Sequence, residues 1–369
     1  MRKTVFYFLL LIILIILSFL VLEISIRSYL SIKNLNNPHV SYWGKTWYSY
    51  QNETLKLQKF DKLLLKKLKE TNLQKVYLPR WIPGSNITID DQGFRKNDNK
   101  DIKFKNNKKI LVTGDSFAFG SQVSNNQTWP SYLEKIVKVK VLNGGQPAYS
   151  SAQSLRKAII MSEQYNFDYF IWSFIYEDFE RDETSNFLIK KNNEMQFNEY
   201  TEVNSDIEIP RNKNIYLLFK EYFFIVYLID REIVKKLITD NKNYNKKKYS
   251  SLIDFSNQYS TSYTPREEIK FLIKEFKKIE IDNKYILIQH TDFSKNTEKK
   301  IIDLRKKNYN NKYKKLIYEL ANINQIQIID TEDIFKKMSE KERRMMWFDH
   351  HSPQGNKIIA ELISKNLNF

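Results

Sequence analysis

Apolar residues form one long run near the start of the chain. The run extends from Val5 to Leu22 with only Ser18 inside it, and two basic residues precede it. At 1.5 Å of rise per residue, a helix of this length comes close to the thickness of a bilayer core. The run has no polar face, and no small-residue cleavage site follows it. It therefore predicts an uncleaved membrane anchor over residues 1–26 rather than a signal peptide, with the N-terminus in the cytoplasm.

From residue 108 onward, short apolar runs typical of buried strands alternate with amphipathic stretches typical of helices. The strand-like runs are 110–113, 139–142, 169–174, 285–289 and 327–329, and the helix-like stretches are 129–137, 152–163, 271–279, 313–323 and 357–363. This alternation predicts an α/β fold of three layers (α/β/α) in residues 106–369, with a central parallel sheet. In such a fold, binding and catalytic residues lie at the carboxyl ends of the strands.

Two segments depart from the alternation. Residues 27–105 are predicted to be a linker and lead-in region, and a Lys/Leu-rich stretch at 55–68 predicts a packing helix with a basic, solvated face. Residues 180–265 are predicted to be an insertion. Its most apolar part, 215–229, is split by a Lys-Glu pair, which favours a buried or interfacial helix over a second membrane span.

The composition limits the types of catalysis, metal site and partner that the chain can have. The 369 residues carry 60 Lys and Arg against 43 Asp and Glu, a net charge of +17, with four histidines and no cysteine. The lack of cysteine excludes disulfides, thiolate catalysis and the common structural zinc sites, and no metal or other cofactor is predicted. The basic excess fits anionic lipid, an acidic polymer or nucleic acid. Because the anchor orientation places the body of the chain outside the cytoplasm, nucleic acid is the disfavoured partner.

The first candidate catalytic residue is a serine that follows a strand-like run. Residues 110–120 read ILVTGDSFAFG, so Ser116 comes after an apolar strand and a Gly-Asp turn. At the carboxyl end of a parallel strand its hydroxyl would be exposed, and backbone N–H groups at the start of the next helix would stabilise a developing anion. The alternative is a plain turn in which Asp and Ser cap that helix.

The second candidate cluster is Asp349, His350 and His351, just before a Ser-Pro helix start. A serine nucleophile needs an imidazole that accepts its proton and a carboxylate that orients the imidazole. The spacing leaves the base open between His350 and His351. Taken alone, the cluster also fits a surface turn or a set of metal ligands, although the other two histidines have no metal-ligand spacing.

Together these motifs resemble the SGNH, or GDSL-type, hydrolases, which are flavodoxin-like α/β/α enzymes that cleave esters or transfer acyl groups. The resemblance covers roughly residues 87–178 and 326–365. Anchored members often add or remove O-acetyl groups on surface polysaccharides, which implies an acylated envelope glycan as the substrate. The matching motifs are DDQGFR at 90–95, GDSFAFG at 114–120, QTWP at 127–130, NGGQPA at 143–148 and the Asp-His cluster at 349–351.

The resemblance also implies an oxyanion hole, with two departures from the family pattern. The backbone N–H groups of Ser116 and of Ala148, where the family has glycine, would bind the oxyanion. The family's third donor is an Asn side chain, and Glu177 stands in its place. An ionised Glu repels an anion, and losing such a donor typically costs about 2.7–4 kcal/mol of transition-state stabilisation.

The leading expectation is a single-pass, membrane-anchored serine esterase or O-acyltransferase that faces the cell envelope. Ser116 would attack the ester carbonyl, His350 or His351 would take its proton, and Asp349 would orient the imidazole. The departures in the oxyanion hole motivate a second hypothesis, a catalytically impaired protein of the same fold that binds or helps assemble an acidic envelope polymer. A third hypothesis is a lipid-directed esterase that uses the apolar stretch 215–229.

Overall fold

The computed structural model divides the chain into two compact units. The described residues are 2–33, 57–76, 84–99, 101–184, 186–199, 263–290, 313–346 and 350–367, together with Phe219, Tyr222, Phe223, Ile225, Val226, Leu228 and Ile229. The anchor unit comprises Met1–Leu55, Tyr77–Pro83 and Val203–Ile253, and the sheet unit comprises Lys56–Val76, Gly84–Glu202 and Asp254–Phe369.

The anchor unit is built on one long helix, α1 (Arg2–Lys33). The most apolar 18 residues of its segment Thr4–Ile32 have a mean hydropathy of 3.3, and none of that window is buried inside the protein. A helix of 29 residues is long enough to cross a bilayer core, and nearly every apolar side chain along it is exposed. In length and composition α1 therefore fits a membrane span.

The end of α1 carries a buried ion pair that binds the apolar stretch 215–229. Arg27 Nε lies 2.7 Å from Glu23 Oε1, and both side chains are buried. The Arg27 guanidinium donates to the carbonyl of Tyr222 at 2.5 Å, and the backbone N–H of Ile225 donates to Glu23 Oε2 at 3.0 Å. The described residues of this stretch thus pack on α1, and Ile225 is buried, as the sequence predicts for a buried or interfacial segment.

The sheet unit has a five-stranded parallel sheet of order β11-β10-β7-β5-β6. Every residue of the central strand is buried, because helices cover both faces. The predicted three-layer α/β/α fold is confirmed. The strands are β5 (Lys109–Thr113), β6 (Lys140–Asn143), β7 (Tyr169–Phe174), β10 (Asn283–Ile288) and β11 (Gln327–Asp330).

Each face of the sheet has its own helical layer. The helices of the unit are α2 (Ser116–Phe119), α3 (Trp129–Val137), α4 (Ser151–Gln164), α5 (Glu177–Thr184), α6 (Pro265–Lys278), α7 (residues 313–323), α8 (Glu332–Lys337), α9 (Glu340–Met346) and α10 (Pro353–Asn366). Helices α3 and α10 pack on one face through Trp129, Leu133 and Ile363. On the other face, Trp172 of β7 contacts Phe276 of α6 and donates to Ser154 of α4.

Three antiparallel hairpins complete the sheet unit. They pair β1 (Gln58–Asp61) with β2 (Leu65–Leu68), β3 (Thr71–Val76) with β4 (Ser85–Ile89), and β8 (Leu188–Lys191) with β9 (Glu194–Phe197). The third hairpin lies in the segment predicted as an insertion, most of which falls outside the described residues.

The helix predicted at 55–68 is wrong, because the described part of that segment forms the β1–β2 hairpin. The turn is set by Asp61, whose Oδ1 accepts from the backbone N–H groups of residues 63 and 64, and by Leu65 at φ 61°. The strands are fixed by tertiary bonds, since Tyr149 Oη donates to the carbonyl of Lys66 at 2.6 Å and Gln153 Nε2 donates to that of Leu64 at 2.9 Å. Long-range contacts thus override the helix-like spacing of the leucines.

Candidate active site

Ser116 begins α2 directly after β5, at the carboxyl end of the sheet, as the sequence predicts. Asp115 is the N-cap of this helix, and its Oδ1 accepts from the backbone N–H of Phe117 at 2.9 Å. The helix ends after one turn because Gly120 adopts a left-handed conformation at φ 76°. This strand-turn-helix holds the Ser116 hydroxyl at the sheet edge with only 9% of the residue exposed.

The two adjacent histidines occupy different environments. His350 Nε2 lies 2.8 Å from Ser116 Oγ, and the backbone N–H of His350 donates to Gln122 Oε1 at 3.2 Å. His351 is buried, stacks on Phe335 with ring centroids 5.7 Å apart, and contacts the ring of Phe117 at its edge. The structure therefore brings His350, and not His351, to the serine. Asp349 lies outside the described residues.

Burial also separates the two imidazoles chemically. The pKa of His351 is held well below its usual range, first by burial and then by the neighbouring His350 and His290. An imidazole with this pKa stays neutral at neutral pH, and its aromatic contacts are those of a core side chain.

The backbone around Ala148 has the conformation expected of a glycine. Ala148 has φ 60°, in the left-handed region that alanine adopts only at a cost in energy. Within the described residues, neither the N–H of Ala148 nor that of Ser116 donates a hydrogen bond. The two groups follow the paired strands β6 and β5, so they lie at the same edge of the sheet. Both N–H groups are thus available to an oxyanion.

A close approach joins the loops that carry these two groups. A Cβ on Gly145 would lie 2.3 Å from the backbone nitrogen of Phe119, so a side chain is excluded there. The N–H of Gly145 donates to Asn143 Oδ1 at 3.0 Å, which holds the loop in place. The glycines of the NGGQPA motif therefore allow the Ala148 loop to pack against α2.

Glu177 begins α5 at the carboxyl end of β7, and a guanidinium lies close to it. Arg181, one turn later, donates to Asp178 Oδ1 and to the carbonyl of Tyr149 at 2.9 Å, and it lies 3.8 Å from Asp115 Oδ2. These contacts reach the residue before Ser116, the residue after Ala148 and the residue after Glu177. One cation thus connects the three segments that form the candidate oxyanion hole.

The pKa values of Asp115 and Asp178, the acids that contact Arg181, are raised. Burial raises the pKa of Asp115, although Arg181 opposes the shift. Burial and the repulsion of Asp115 raise the pKa of Asp178 well above its usual range. Nearby acids raise the pKa of Arg181 itself, although burial opposes them. The guanidinium therefore stays charged and stabilises a crowded acidic group beside Ser116.

The sequence analysis missed two buried residues that hold the site together. Arg95 is 1% exposed and donates to the carbonyls of Phe119 and Gly120 at 2.7 and 2.5 Å, which fixes the end of α2. Gln122, fully buried at φ 78°, accepts from the N–H of His350. The GFR lead-in at 93–95 was a signal for Arg95 that the sequence left without a role. No local pattern distinguished Gln122 from a surface turn residue.

A separate charged cluster lies at the ends of β10 and β11. His290, Asp330 and Glu332 offer ligand atoms within 4.8 Å of one another, a proximity that the sequence spacing did not reveal. Lys314 makes an ion pair with Glu332 and lies 3.5 Å from Asp330. Because the ammonium groups of Lys314 and Lys336 already pair with these carboxylates, the cluster is an ion-pair network and a poor site for a metal cation.

Comparisons with known proteins were made for the whole chain. The scan against protein-family models matches no family, and the search of curated proteins finds no match. Among solved structures the chain matches a lipase/acylhydrolase from Enterococcus faecalis, at 12% identity and a TM-score of 0.37, with 70% of this chain and 94% of that chain covered. It also matches a member of the lipolytic protein G-D-S-L family from Veillonella parvula, at 12% identity and a TM-score of 0.35, with 70% and 97% covered.

The two matched proteins are described as a lipase/acylhydrolase and as a lipolytic protein. At such TM-scores and identities they assign no activity to this chain. The chemistry is therefore judged on the geometry of Ser116 and His350.

Proposed function

We propose that the protein is a membrane-anchored serine esterase or O-acyltransferase. The observation that supports this most directly is the 2.8 Å separation of His350 Nε2 from Ser116 Oγ. That distance is within the range for proton transfer from a nucleophile to its general base. The fold adds a serine at the start of a helix, where backbone N–H groups favour negative charge.

The proposed reaction proceeds through an acyl-serine. Ser116 Oγ attacks the carbonyl carbon of an ester while its proton moves to His350 Nε2. The tetrahedral oxyanion accepts hydrogen bonds from the N–H groups of Ser116 and Ala148. It collapses by breaking the bond to the alcohol, which leaves with the proton from His350. Water or an acceptor hydroxyl then attacks the acyl carbon and gives its proton to His350. The bond from this carbon to Ser116 Oγ breaks, Ser116 takes the proton back from His350, and the acid or the new ester leaves. Asp349 is the proposed group that orients the imidazole.

We propose that the positive charge of Arg181 offsets the negative charge of Glu177 in this reaction. The guanidinium lies 2.9 Å from the carbonyl of Tyr149, the residue after Ala148, so its positive charge is close to the oxyanion hole. It offsets the negative charge that Glu177 brings to the position of the missing donor. We expect the site to work more slowly than one with an amide donor, but to remain active.

The proposed substrate is an acyl ester, such as an acetyl ester, on a glycan of the cell envelope. The anchor helix would hold the sheet unit on the outer side of the cell membrane, with the N-terminus in the cytoplasm. The basic charge then favours envelope polymers and lipid over nucleic acid.

The test is serine-dependent turnover by the full-length chain in detergent micelles. We expect hydrolysis of p-nitrophenyl acetate and labelling by a fluorophosphonate probe, and we expect Ser116→Ala to abolish both. Ser121→Ala, which removes a buried hydroxyl five residues away, is the matched control and should keep both signals. Labelling that persists in Ser116→Ala would refute the assignment. Absence of turnover and of labelling in the natural chain would favour the catalytically impaired alternative.

A further inference from the structure

A cleft of about 560 Å³ lies in the sheet unit, and all of its lining residues are polar. Its volume is typical of sites for small ligands, about 300–1,000 Å³. The lining includes Asn72, Thr88, Asp98, Asn125, Asn126 and Gln127. Their side chains are amides, hydroxyls and one carboxylate, with no aromatic ring and no aliphatic chain.

The walls of the cleft are held by hydrogen bonds. Along the edge of β4, the N–H of Asn86 donates to Ser124 Oγ and the N–H of Thr88 donates to Asn125 Oδ1, both at 3.1 Å. Asn125 Nδ2 donates to Asp98 Oδ2 at 2.7 Å, which ties the facing loop. A polar cleft fixed in this way needs little reorganisation to bind a ligand.

The same residues connect the cleft to the nucleophile. The buried Arg95 guanidinium donates to Asn125 Oδ1 at 3.2 Å through Nε, and to the carbonyl of Phe119 at 2.7 Å through Nη1. One rigid planar group therefore joins the cleft wall to the helix that Ser116 begins.

The cleft is also connected to the general base. Asn356 Nδ2, in the first turn of α10, donates to the carbonyl of Gln127 at 3.1 Å. His350 lies just before that helix, and its N–H donates to Gln122 in the segment that leads into the cleft. The turn at 124–127 thus contacts both segments that present the reacting side chains.

We infer that this cleft is a subsite for a neutral, hydroxyl-rich glycan whose ester group reacts at Ser116. The amides can donate to and accept from sugar hydroxyls, and the carboxylate can accept from them. The polar lining disfavours an acyl chain or lipid tail, because burying apolar surface against it gains nothing. Asp98 disfavours an anionic polymer by repulsion. The inference rests on the proposed function and specifies its substrate class.

A substitution of Asn126 tests whether the cleft binds a ligand. It is exposed, and within the described residues it makes no hydrogen bond, so changing it disturbs no contact of the fold. We expect Asn126→Trp to fill part of the cleft and leave Ser116 and His350 in place. Asn322→Trp, which makes the same change at an exposed position of α7, is the matched control.

The experiment compares two esters with the full-length chain in a detergent that has no sugar headgroup. With partially O-acetylated xylo-oligosaccharides, Asn126→Trp should lower kcat/KM by about tenfold or more, mainly through KM. With p-nitrophenyl acetate, which has no sugar to bind in the cleft, kcat/KM should change much less, so the ratio of the two kcat/KM values should fall. Equal kinetics of Asn126→Trp and the natural chain on both esters would overturn the inference and leave the esterase proposal intact.

Sugar binding to the cleft can be measured separately in a variant that does not turn over esters. In the Ser116→Ala chain, titration with xylotetraose or the tetramer of N-acetylglucosamine should show millimolar binding that Asn126→Trp removes and Asn322→Trp retains. Binding of neither sugar, or binding that Asn126→Trp leaves unchanged, would contradict the inference. If the natural chain cleaves neither ester yet the sugar binding behaves as expected, the esterase proposal fails and the sugar site stands.

Discussion

The side chains of two neighbouring histidines, His350 and His351, point into different surroundings. His350 reaches Ser116, whereas His351 is packed between Phe117 and Phe335. A buried imidazole of lowered pKa cannot easily accept and release a proton near neutral pH. The proposed base, His350, is therefore distinguished from His351 by the fold and not by the residue type.

This difference in surroundings predicts that mutating His350 lowers the reactivity of Ser116 far more than mutating His351. His350→Gln should lower the rate of fluorophosphonate labelling at Ser116 by about a thousandfold or more, as for other serine enzymes that lose their base. His351→Phe keeps a ring against Phe335 and should retain labelling within about tenfold. If His351→Phe abolishes labelling and His350→Gln does not, the roles are reversed.

The residue scale also shows what sequence can and cannot predict. Ser116 was predictable because a strand, a Gly-Asp turn and a helix are contiguous, so local rules place the hydroxyl. The choice between His350 and His351 was not, because it depends on the direction of two side chains on a loop. Gln122 and Arg95 were missed for a similar reason, since their partners lie more than twenty residues away along the chain.

The segment that joins β7 to α5 and carries Glu177 shows how an element boundary shapes the site. Strand β7 ends at Phe174, and the backbone N–H of Ile175 donates to Asp178 Oδ2 at 3.1 Å, which turns the chain into α5. The first turn of α5 brings Glu177 to the sheet edge, and the second brings Arg181 back over the segments of Asp115 and Tyr149. One helix thus supplies both an unfavourable charge and the charge that offsets it.

The pairing of charges on α5 predicts a compensating double mutant. Arg181→Met leaves Glu177 and the buried acids without their cation, so kcat for p-nitrophenyl acetate should fall by about 10- to 100-fold. Glu177→Gln alone should raise kcat, and in the Arg181→Met background it should recover part of the loss. A purely structural role for Arg181 predicts instead that Glu177→Gln recovers nothing, which steady-state kinetics and thermal unfolding together would show.

The β1–β2 hairpin shows that the spacing of apolar residues alone does not always predict the type of a secondary-structure element. Leucines at 55, 57, 63, 64, 65 and 68 fit a helical stripe, but only the chain that packs beside them decides their conformation. Tyr149 and Gln153 fix this conformation by donating hydrogen bonds to carbonyl groups of the hairpin. In contrast, the parallel strands were predicted well because both faces are buried and the runs are uniformly apolar.

At the scale of the whole molecule, one buried lysine lowers the stability of the sheet unit. Lys157 of α4 is 2% exposed, and within the described residues its Nζ has no hydrogen-bond partner. Burial lowers its pKa from 10.5 to about 7, although Asp90 opposes the shift. Between these two pH values the unfolded chain binds more protons than the folded one, so this residue's contribution to the free energy of unfolding rises with pH.

Replacing that lysine should stabilise the protein in a pH-dependent way. Lys157→Met removes a buried amine and keeps an unbranched apolar chain, so at pH 7 the free energy of unfolding should increase by roughly 1–3 kcal/mol. The gap between mutant and natural chain should narrow as the pH rises from about 7 to about 10. Tryptophan fluorescence during thermal unfolding measures this gap. A gap that is constant with pH would show that Lys157 does not titrate in this range.

The distance between Ser116 and His350 along the chain has a consequence for biosynthesis. The two residues are 234 positions apart, and α10, which follows His350, packs on α3, which follows Ser116. During synthesis, all five strands of the sheet emerge from the ribosome before the imidazole does. In the proposed esterase, Ser116 therefore stays without His350 while the N-terminal helix and the sheet form. Under the proposed mechanism, a nascent or truncated chain that lacks residue 350 is therefore expected to leave ester bonds intact.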